Sequence, residues 1–303
     1  MNFTNDKNND LKFFHSDEKK STGEKKLLFG KKELSTKNAA FIMGIVNCTP
    51  DSFYSESRGT FEECVKRAFS LIEEGADILD LGAESTRPSS SYVCQEEELD
   101  RLIPVLREIR KKSDIPISID TRKALVMKAA FEEGADLLND VSALEDDSEM
   151  GPLVAFFDAG VILMHKKGNP QNMQENIFYE NVFDEVDSYL KSRIAYALEC
   201  GIDENKIIID PGIGFGKNLE QNKILVSRAG ELCSGKYPVL MALSRKSFLG
   251  EITGRPVEER LAATLAANLI SVKNGADIVR VHDIPSCRDT LLVLKSFMDS
   301  ALI

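Results

Sequence analysis

The segment DPGIGFGK, residues 210–217, carries the densest chemistry in the chain. Its glycines let backbone N–H groups come close to a ligand, and the leading carboxylate, Asp210, can accept hydrogen bonds from an N–H-rich heterocycle. A tight βα turn explains the same glycines, and their spacing is not that of a dinucleotide fingerprint. SRKSFLG (244–250) adds two adjacent cations, Arg245 and Lys246, and a hydroxyl, Ser247, able to cap a following short helix and leave its N–H groups for a carboxylate. The bland alternative is a solvated basic turn. RVHD (280–283) and ESTRP (84–88) contribute Arg280, His282 and Arg87, cations suited to a phosphate or pyrophosphate. NCTPDSF (47–53) offers Asn47, an amide of the kind magnesium takes when it sits on a pyrophosphate with few protein ligands. A Pro-Asp turn accounts for Pro50-Asp51 without any ligand. Asp120 in ISIDT and Asn139 in LLNDV are either helix caps or, with Asp210, a ring of groups around a purine-like edge. His165, and His282 taken alone, read as structural histidines.

Residues so far apart in sequence need a frame that brings them together. Eight short apolar runs each stop at or beside a polar or ionisable residue: Asn47, Glu84, Asp120, Asn139, His165, Asp210, Ser244 and His282. Such runs read as parallel strands buried on both faces. The pattern predicts strands over 41–47, 77–83, 115–120, 136–140, 160–165, 206–210, 238–242 and 277–283. Helical patterns fill the gaps, for example 61–75 and 99–112, the latter holding Pro104 as a kink or a late start. GADILD, GADLLND and GADIVRV repeat one joint: Gly75, Gly134 and Gly275 suit the left-handed residue that ends a helix, and Ala-Asp leads into a strand. Eight units predict a single (β/α)8 TIM barrel whose strand carboxyl ends converge on one face, with an open doubly wound sheet as the structural alternative. LLFGKKEL (27–34) predicts a small β-hairpin able to plug the amino-terminal end of the barrel. Residues 1–26, rich in Lys, Asn and Asp, predict a flexible extension, leaving 27–303 as the barrel domain.

Hydrophobic residues make up 43% of the 303 residues and charged residues 29%, the balance of a globular protein. A net charge of −11 argues against nucleic acid or an anionic membrane as the main partner, yet leaves room for a small anionic substrate held by local cations. Cys48, Cys64, Cys94, Cys200, Cys233 and Cys287 are scattered without paired spacing, as reduced cytosolic thiols are. No apolar stretch approaches the roughly 18 residues that span a membrane, and the N-terminus has no signal-peptide apolar region. The expectation is a soluble cytoplasmic protein.

The blocks MGIVNCTPDSF, LGAESTRP, ISIDT, NDVSA, LMH, DPGIGFGK, SRKSFLG and RVHD, in this order from Met43 to Asp283, resemble the dihydropteroate synthase family. The combination is specific where no single block is. The resemblance implies a TIM barrel, usually a homodimer, that condenses 6-hydroxymethyl-7,8-dihydropterin pyrophosphate with p-aminobenzoate. The products would be 7,8-dihydropteroate, for folate synthesis, and pyrophosphate; magnesium would assist, and sulfonamides compete for the p-aminobenzoate site in this family. Residue by residue, it implies that Asp120, Asn139, Asp210 and Lys246 hold the pterin, with Met164 and Phe215 packed near it. Asn47, Thr86, Arg87, Arg280 and His282 would hold the pyrophosphate, with Asn47 as a magnesium ligand. Phe53, Pro88 and Ser247 would form the p-aminobenzoate pocket. The catalytic set would be Asn47, Arg87, Lys246, Arg280 and His282. The chain departs from the family pattern at Cys48 (usually Val), at Tyr54–Ser57 (often Ser-Asp-Gly-Gly), at Ala83 (a common Gly) and in His165–Gly168. Two other readings share part of the pattern. A pterin-binding methyltransferase acting on methyltetrahydrofolate needs neither SRKS nor a pyrophosphate rim. A non-catalytic pterin-binding homologue is supported by the altered first loop alone.

Overall fold

The computed structural model describes residues 25–49, 57–84, 93–168 and 177–300. Among them are ten strands and nine α-helices: an initial two-stranded hairpin, then eight strands alternating with the helices. The hairpin is β1 (Lys25–Phe29) and β2 (Lys32–Thr36). The alternating array then runs β3 (Phe41–Asn47), α1 (Ser57–Glu74), β4 (Ile78–Gly82), α2 (Gln95–Arg110), β5 (Ile117–Asp120), α3 (Ala124–Glu132), β6 (Leu137–Asp140), α4 (Met150–Phe156) and β7 (Gly160–Met164). It continues through α5 (Val182–Glu199), β8 (Ile207–Asp210), α6 (Leu219–Ser227), β9 (Leu240–Met241), α7 (Ser247–Thr253), α8 (Leu261–Lys273), β10 (Ile278–Val281) and α9 (Ile284–Ser300).

All eight strands from β3 to β10 are parallel, and each pairs with its neighbour in chain order, β10 returning to β3. A parallel bridge between Ile209 of β8 and Val239, just before β9, closes the ring, with the Ile209 N–H donating to the Pro238 carbonyl at 3.0 Å. This is the (β/α)8 barrel; a doubly wound sheet would reverse its strand order at a switch point, and none is present among the described strands.

Alternation along the strands divides two cores. Phe41, Met43, Ile78, Leu137, Ile162, Ile208, Leu240, Ala242 and Ile278 point inward and pack with Leu27 and Phe29 of the hairpin. Their neighbours, such as Ile42, Leu79, Ile119, Leu138, Val161, Ile209 and Val279, pack against the helices. The repeated Asp has a shared task. Asp77, Asp136 and Asp277 each accept a backbone N–H at the start of the preceding strand, from Ile42 at 2.7 Å, Ile117 at 2.9 Å and Val239 at 3.0 Å. The glycine before each is left-handed, with φ of +95°, +91° and +100°. The repeat therefore ends a helix and staples two strands in the same stroke.

The helix boundaries lie earlier than the periodicity predicts. α2 starts at Gln95, where Glu96, Glu97 and Glu98 fill a first turn that favours acids. It runs unbroken through Pro104, which lies on the exposed face where the Asp100 carbonyl it leaves unbonded can turn to water.

The hairpin plugs the amino-terminal end, as expected. Gly30 turns at φ +54°, and a Cβ there would lie 2.7 Å from the Asp136 carbonyl oxygen, so the turn presses directly on the barrel floor. Lys25 pairs with Asp277 at 3.1 Å and Lys32 with Asp136 at 2.9 Å, using two of the stapling carboxylates. Phe29 is fully buried. Phe29→Ala should cost about 3–5 kcal/mol, the range for an aromatic cavity, read as a lower urea midpoint at unchanged slope.

Candidate active site

Continuing the inward-facing register by two residues turns the barrel lining from apolar to polar. Asp80 follows Ile78, Asn139 follows Leu137, Met164 follows Ile162, Asp210 follows Ile208 and Arg280 follows Ile278. Asp120 stands opposite Asn139 in the β5–β6 register, and Met164 opposite Asp210 in β7–β8. At the centre, Arg280 donates through Nε to Asp80 at 2.5 Å and through NH2 to Asp120 at 3.1 Å. Asn139 turns its amide onto Asp80 at 3.3 and 3.4 Å. Burial pushes the Asp120 carboxyl up to about 7; Arg280 opposes this, and Asp80, Glu98 and Asp140 add to it. Burial works against the charged guanidinium too, yet Asp80 and Asp120 hold Arg280 above its ordinary value.

The β8 loop forms the next wall. Asp210 is 4% exposed and its Oδ1 accepts the Gly212 N–H at 2.7 Å. Burial pushes its carboxyl up, opposed by Lys246, the Gly212 N–H, Lys217 and Arg280. Lys246 comes from the turn before α7. Its Nζ donates to the Ile213 carbonyl and stands 4.8 Å from the centre of the Phe215 ring. Burial lowers its ammonium to about 8 against the pull of Asp210. Lys217, at the end of the loop, is buried and turns inward. Its Nζ donates to the carbonyls of Gly212 at 2.9 Å and Phe215 at 3.0 Å and meets His165 Nδ1 at 3.0 Å. Burial, with Lys217 beside it, pushes His165 down to about 2, so this ring stays neutral and serves as a fixed prop, the structural reading. The loop has no slack: a Cβ on Gly212 would lie 1.8 Å from the His165 carbonyl oxygen.

The rim is assembled from strand ends. Asn47 closes β3, and its side-chain amide has no partner among the described residues; its carbonyl accepts the Cys64 thiol at 3.4 Å. Cys48 is 4% exposed, and the Cys64 thiol against it, together with burial, pushes it well up, so it fills apolar space much as a valine would. His282 Nδ1 lies 2.9 Å from Ser244 Oγ, which ties the ends of two neighbouring strands. Arg245 is used structurally, in a two-pronged pair with Asp283 at 3.0 and 3.1 Å, so of the two adjacent cations only Lys246 faces the site. Ser247 is exposed and is the first residue of α7; the capping position belongs to Lys246, without a side-chain cap bond. Glu84 pairs with Arg122 at 2.9 Å and with Lys123 at 2.5 Å, and Lys123 also with the buried Glu98 at 2.5 Å, anchoring the point where the second loop leaves the barrel. Phe53, Tyr54–Glu56, Thr86, Arg87 and Pro88 lie outside the described residues.

Asn47, Asp120, Asn139, Met164, Asp210, Phe215, Lys246, Arg280 and His282 are thus all on the carboxyl-end face of the barrel. Asp80 and Lys217 are the residues that strand-end reasoning missed. Asp80 lies two places short of its strand end, and its signal was a lone acid inside the apolar run ILDLG, in phase with Ile78.

A barrel that gathers acids, an amide and two cations at this face is built to hold a small polar ring bearing an anionic group. A model of the family described as pterin binding enzyme matches residues 43–282. The dihydropteroate synthase of Haemophilus influenzae is 43% identical over 258 residues, covering 84% of this chain and 93% of that one. The Xanthomonas albilineans dihydropteroate synthase with 4-aminobenzoic acid superposes with a TM-score of 0.82 at 39% identity, covering 92% of this chain and 98% of that one. The Burkholderia cenocepacia dihydropteroate synthase complexed with 7,8-dihydropteroate gives a TM-score of 0.82 at 37% identity, covering 91% and 98%. The chain belongs to the pterin-binding enzyme family, among its dihydropteroate synthases.

Proposed function

We propose that the chain condenses 6-hydroxymethyl-7,8-dihydropterin pyrophosphate with p-aminobenzoate, giving 7,8-dihydropteroate and pyrophosphate. The observation that carries the residue assignment is the convergence of Asp120, Asn139, Asp210, Lys246 and Arg280 on one face of the barrel. Asp210 accepts from the N–H-rich edge of the pterin, Asp120 and Asn139 read the rest of its rim, and Lys246 donates to a ring acceptor. Met164 and Phe215 pack the ring. Arg280, His282 and Asn47, with Thr86 and Arg87, take the pyrophosphate. Phe53, Pro88 and Ser247 take p-aminobenzoate.

The rim cations stabilise negative charge as pyrophosphate leaves the pterin methylene, and the electron-rich ring delocalises the positive charge left behind. The aryl amine is neutral near pH 7 and adds without a strong base, so catalysis is positioning plus leaving-group stabilisation. Asn47, an amide at a strand end with no side-chain partner among the described residues, suits magnesium, which keeps most of its waters and takes substrate phosphates rather than a cage of protein acids. Bound there, the ion would neutralise charge on the departing group. The working form is a homodimer, for which the exposed Val293 and Phe297 on α9 and Ile270 on α8 offer apolar surface. We place it in the cytoplasm; its six cysteines are unpaired, and no described helix is long and apolar enough to cross a membrane.

The test is p-aminobenzoate consumption with magnesium, with and without the pterin pyrophosphate. Turnover only in its presence is expected, with competition by a sulfonamide. Folded protein that binds pterin without turnover points to the non-catalytic reading. Methyl transfer from methyltetrahydrofolate to a corrinoid partner points to the methyltransferase.

A further inference from the structure

Asp80 is completely buried in the middle of β4, with no path to a ligand, yet the Arg280 guanidinium and the Asn139 amide both converge on it. A carboxylate at this depth costs several kcal/mol unless well paired, and leucine would fill the place at less cost. Its partner Arg280 reaches in from β10, across the intervening β3, and spans two acids: Nε to Asp80 at 2.5 Å and NH2 to Asp120 at 3.1 Å. Two bonds on two arms fix both the plane and the rotation of the guanidinium. NH1 has no partner among the described residues. Asn139 is held by the same carboxylate at 3.3 Å. Asp120, unlike Asp80, retains 9% exposure at the pocket.

We propose that Asp80 is a positioning residue: it locks the Arg280 guanidinium with one N–H edge turned to the substrate's anionic group, and it supplies the counter-charge that leaves Asp120 available to the pterin. This rests on the reaction assigned above. The charged groups that act on Asp120 are Arg280 on β10, Asp80 on β4, Glu98 on α2 and Asp140 on β6, in a site where burial favours the acid form. With Asp80 neutralised, Arg280 has Asp120 as its one acidic partner. Asp120 then ionises at lower pH and binds the guanidinium more tightly, in competition with substrate.

Asp80→Asn in the full chain tests this. Expected are a fall in kcat of about 10²-fold from misplacement of Arg280, an unchanged KM for p-aminobenzoate, and a shift of the acid limb of kcat/KM to lower pH. A purely structural Asp80 would lower the melting temperature and leave the limb in place. Wild-type kcat with an unmoved limb overturns the proposal. Because Asp80 places Arg280, adding D80N should cost far less kcat in the R280Q background than in wild type, and an undiminished loss there overturns the proposal as well. The double variant removes both charges together, so it keeps the test open if D80N alone does not fold. Absence of turnover in the wild type would sink the assigned reaction instead. The same limb would then be read in pterin binding, where identical profiles for wild type and D80N overturn the role of Asp80.

Discussion

Replacement of Lys246 by alanine is expected to lower kcat/KM for the pterin pyrophosphate by about 10²–10³-fold. A charge-assisted hydrogen bond to the ring contributes about 1.5–3 kcal/mol, and each 1.4 kcal/mol is tenfold. The remainder comes from Asp210. Lys246 is the first of the charges that oppose the burial of this carboxylate, and without it Asp210 shifts further toward the acid form, which donates where the pterin edge needs an acceptor. Lys246→Arg should not restore activity, since the single Nζ donating to the Ile213 carbonyl beside the Phe215 ring cannot be reproduced by a planar fork. Steady-state kinetics and titration calorimetry with the pterin substrate read both variants. Near-normal constants in the alanine variant would remove Lys246 from the site.

Asp210→Asn is expected to lower pterin affinity by about 10³–10⁴-fold, somewhat less than the roughly 10⁴–10⁵-fold by which a site built for a substrate N–H rejects an analogue that leaves its buried group unpaired. The substitution keeps the shape and the bond from the Gly212 N–H, but it aims an amide N–H₂ at an N–H-rich edge. Stability should move the other way. The folded carboxyl is pushed above its ordinary value, so ionisation costs stability at any pH above that value, and asparagine resembles the neutral form. The variant should melt no lower than wild type at pH 7, and its advantage should shrink as the pH falls toward 4 and wild-type Asp210 takes up its proton. A variant that melts markedly lower and binds pterin normally would place Asp210 in the scaffold alone.

The reading from strand ends recovered the face of the barrel because parallel strands buried on both sides must be apolar until they leave the core, and the first polar residue marks that exit. For Asp120 and Asp210 the exit is also the strand end. For Asp80 it is not: β4 turns polar inward while Leu81 still faces the helices, and although alternation puts Ile78, Asp80 and Gly82 on one side, only the closed barrel decides that this side faces inward. Arg245 and Lys246 look equivalent as neighbours in sequence. Tertiary structure separates them, because a backbone turn with φ +56° at Arg245 sends its guanidinium to Asp283 while Lys246 enters the pocket.

What the amino-acid order determined alone was the array: eight apolar runs, the Gly-Ala-Asp joints, and the blocks that carry the family. These are local properties, written in periods of 2 and 3.6 residues and in the φ that glycine permits. Only the closed barrel decided which polar groups share charge. Arg280 meets Asp80 at a separation of 200 residues and Asp120 at 160, and Lys217 meets His165 at 52. Such pairings depend on strand order and inward register, and they set which carboxylates are spent on the protein and which remain for the substrate.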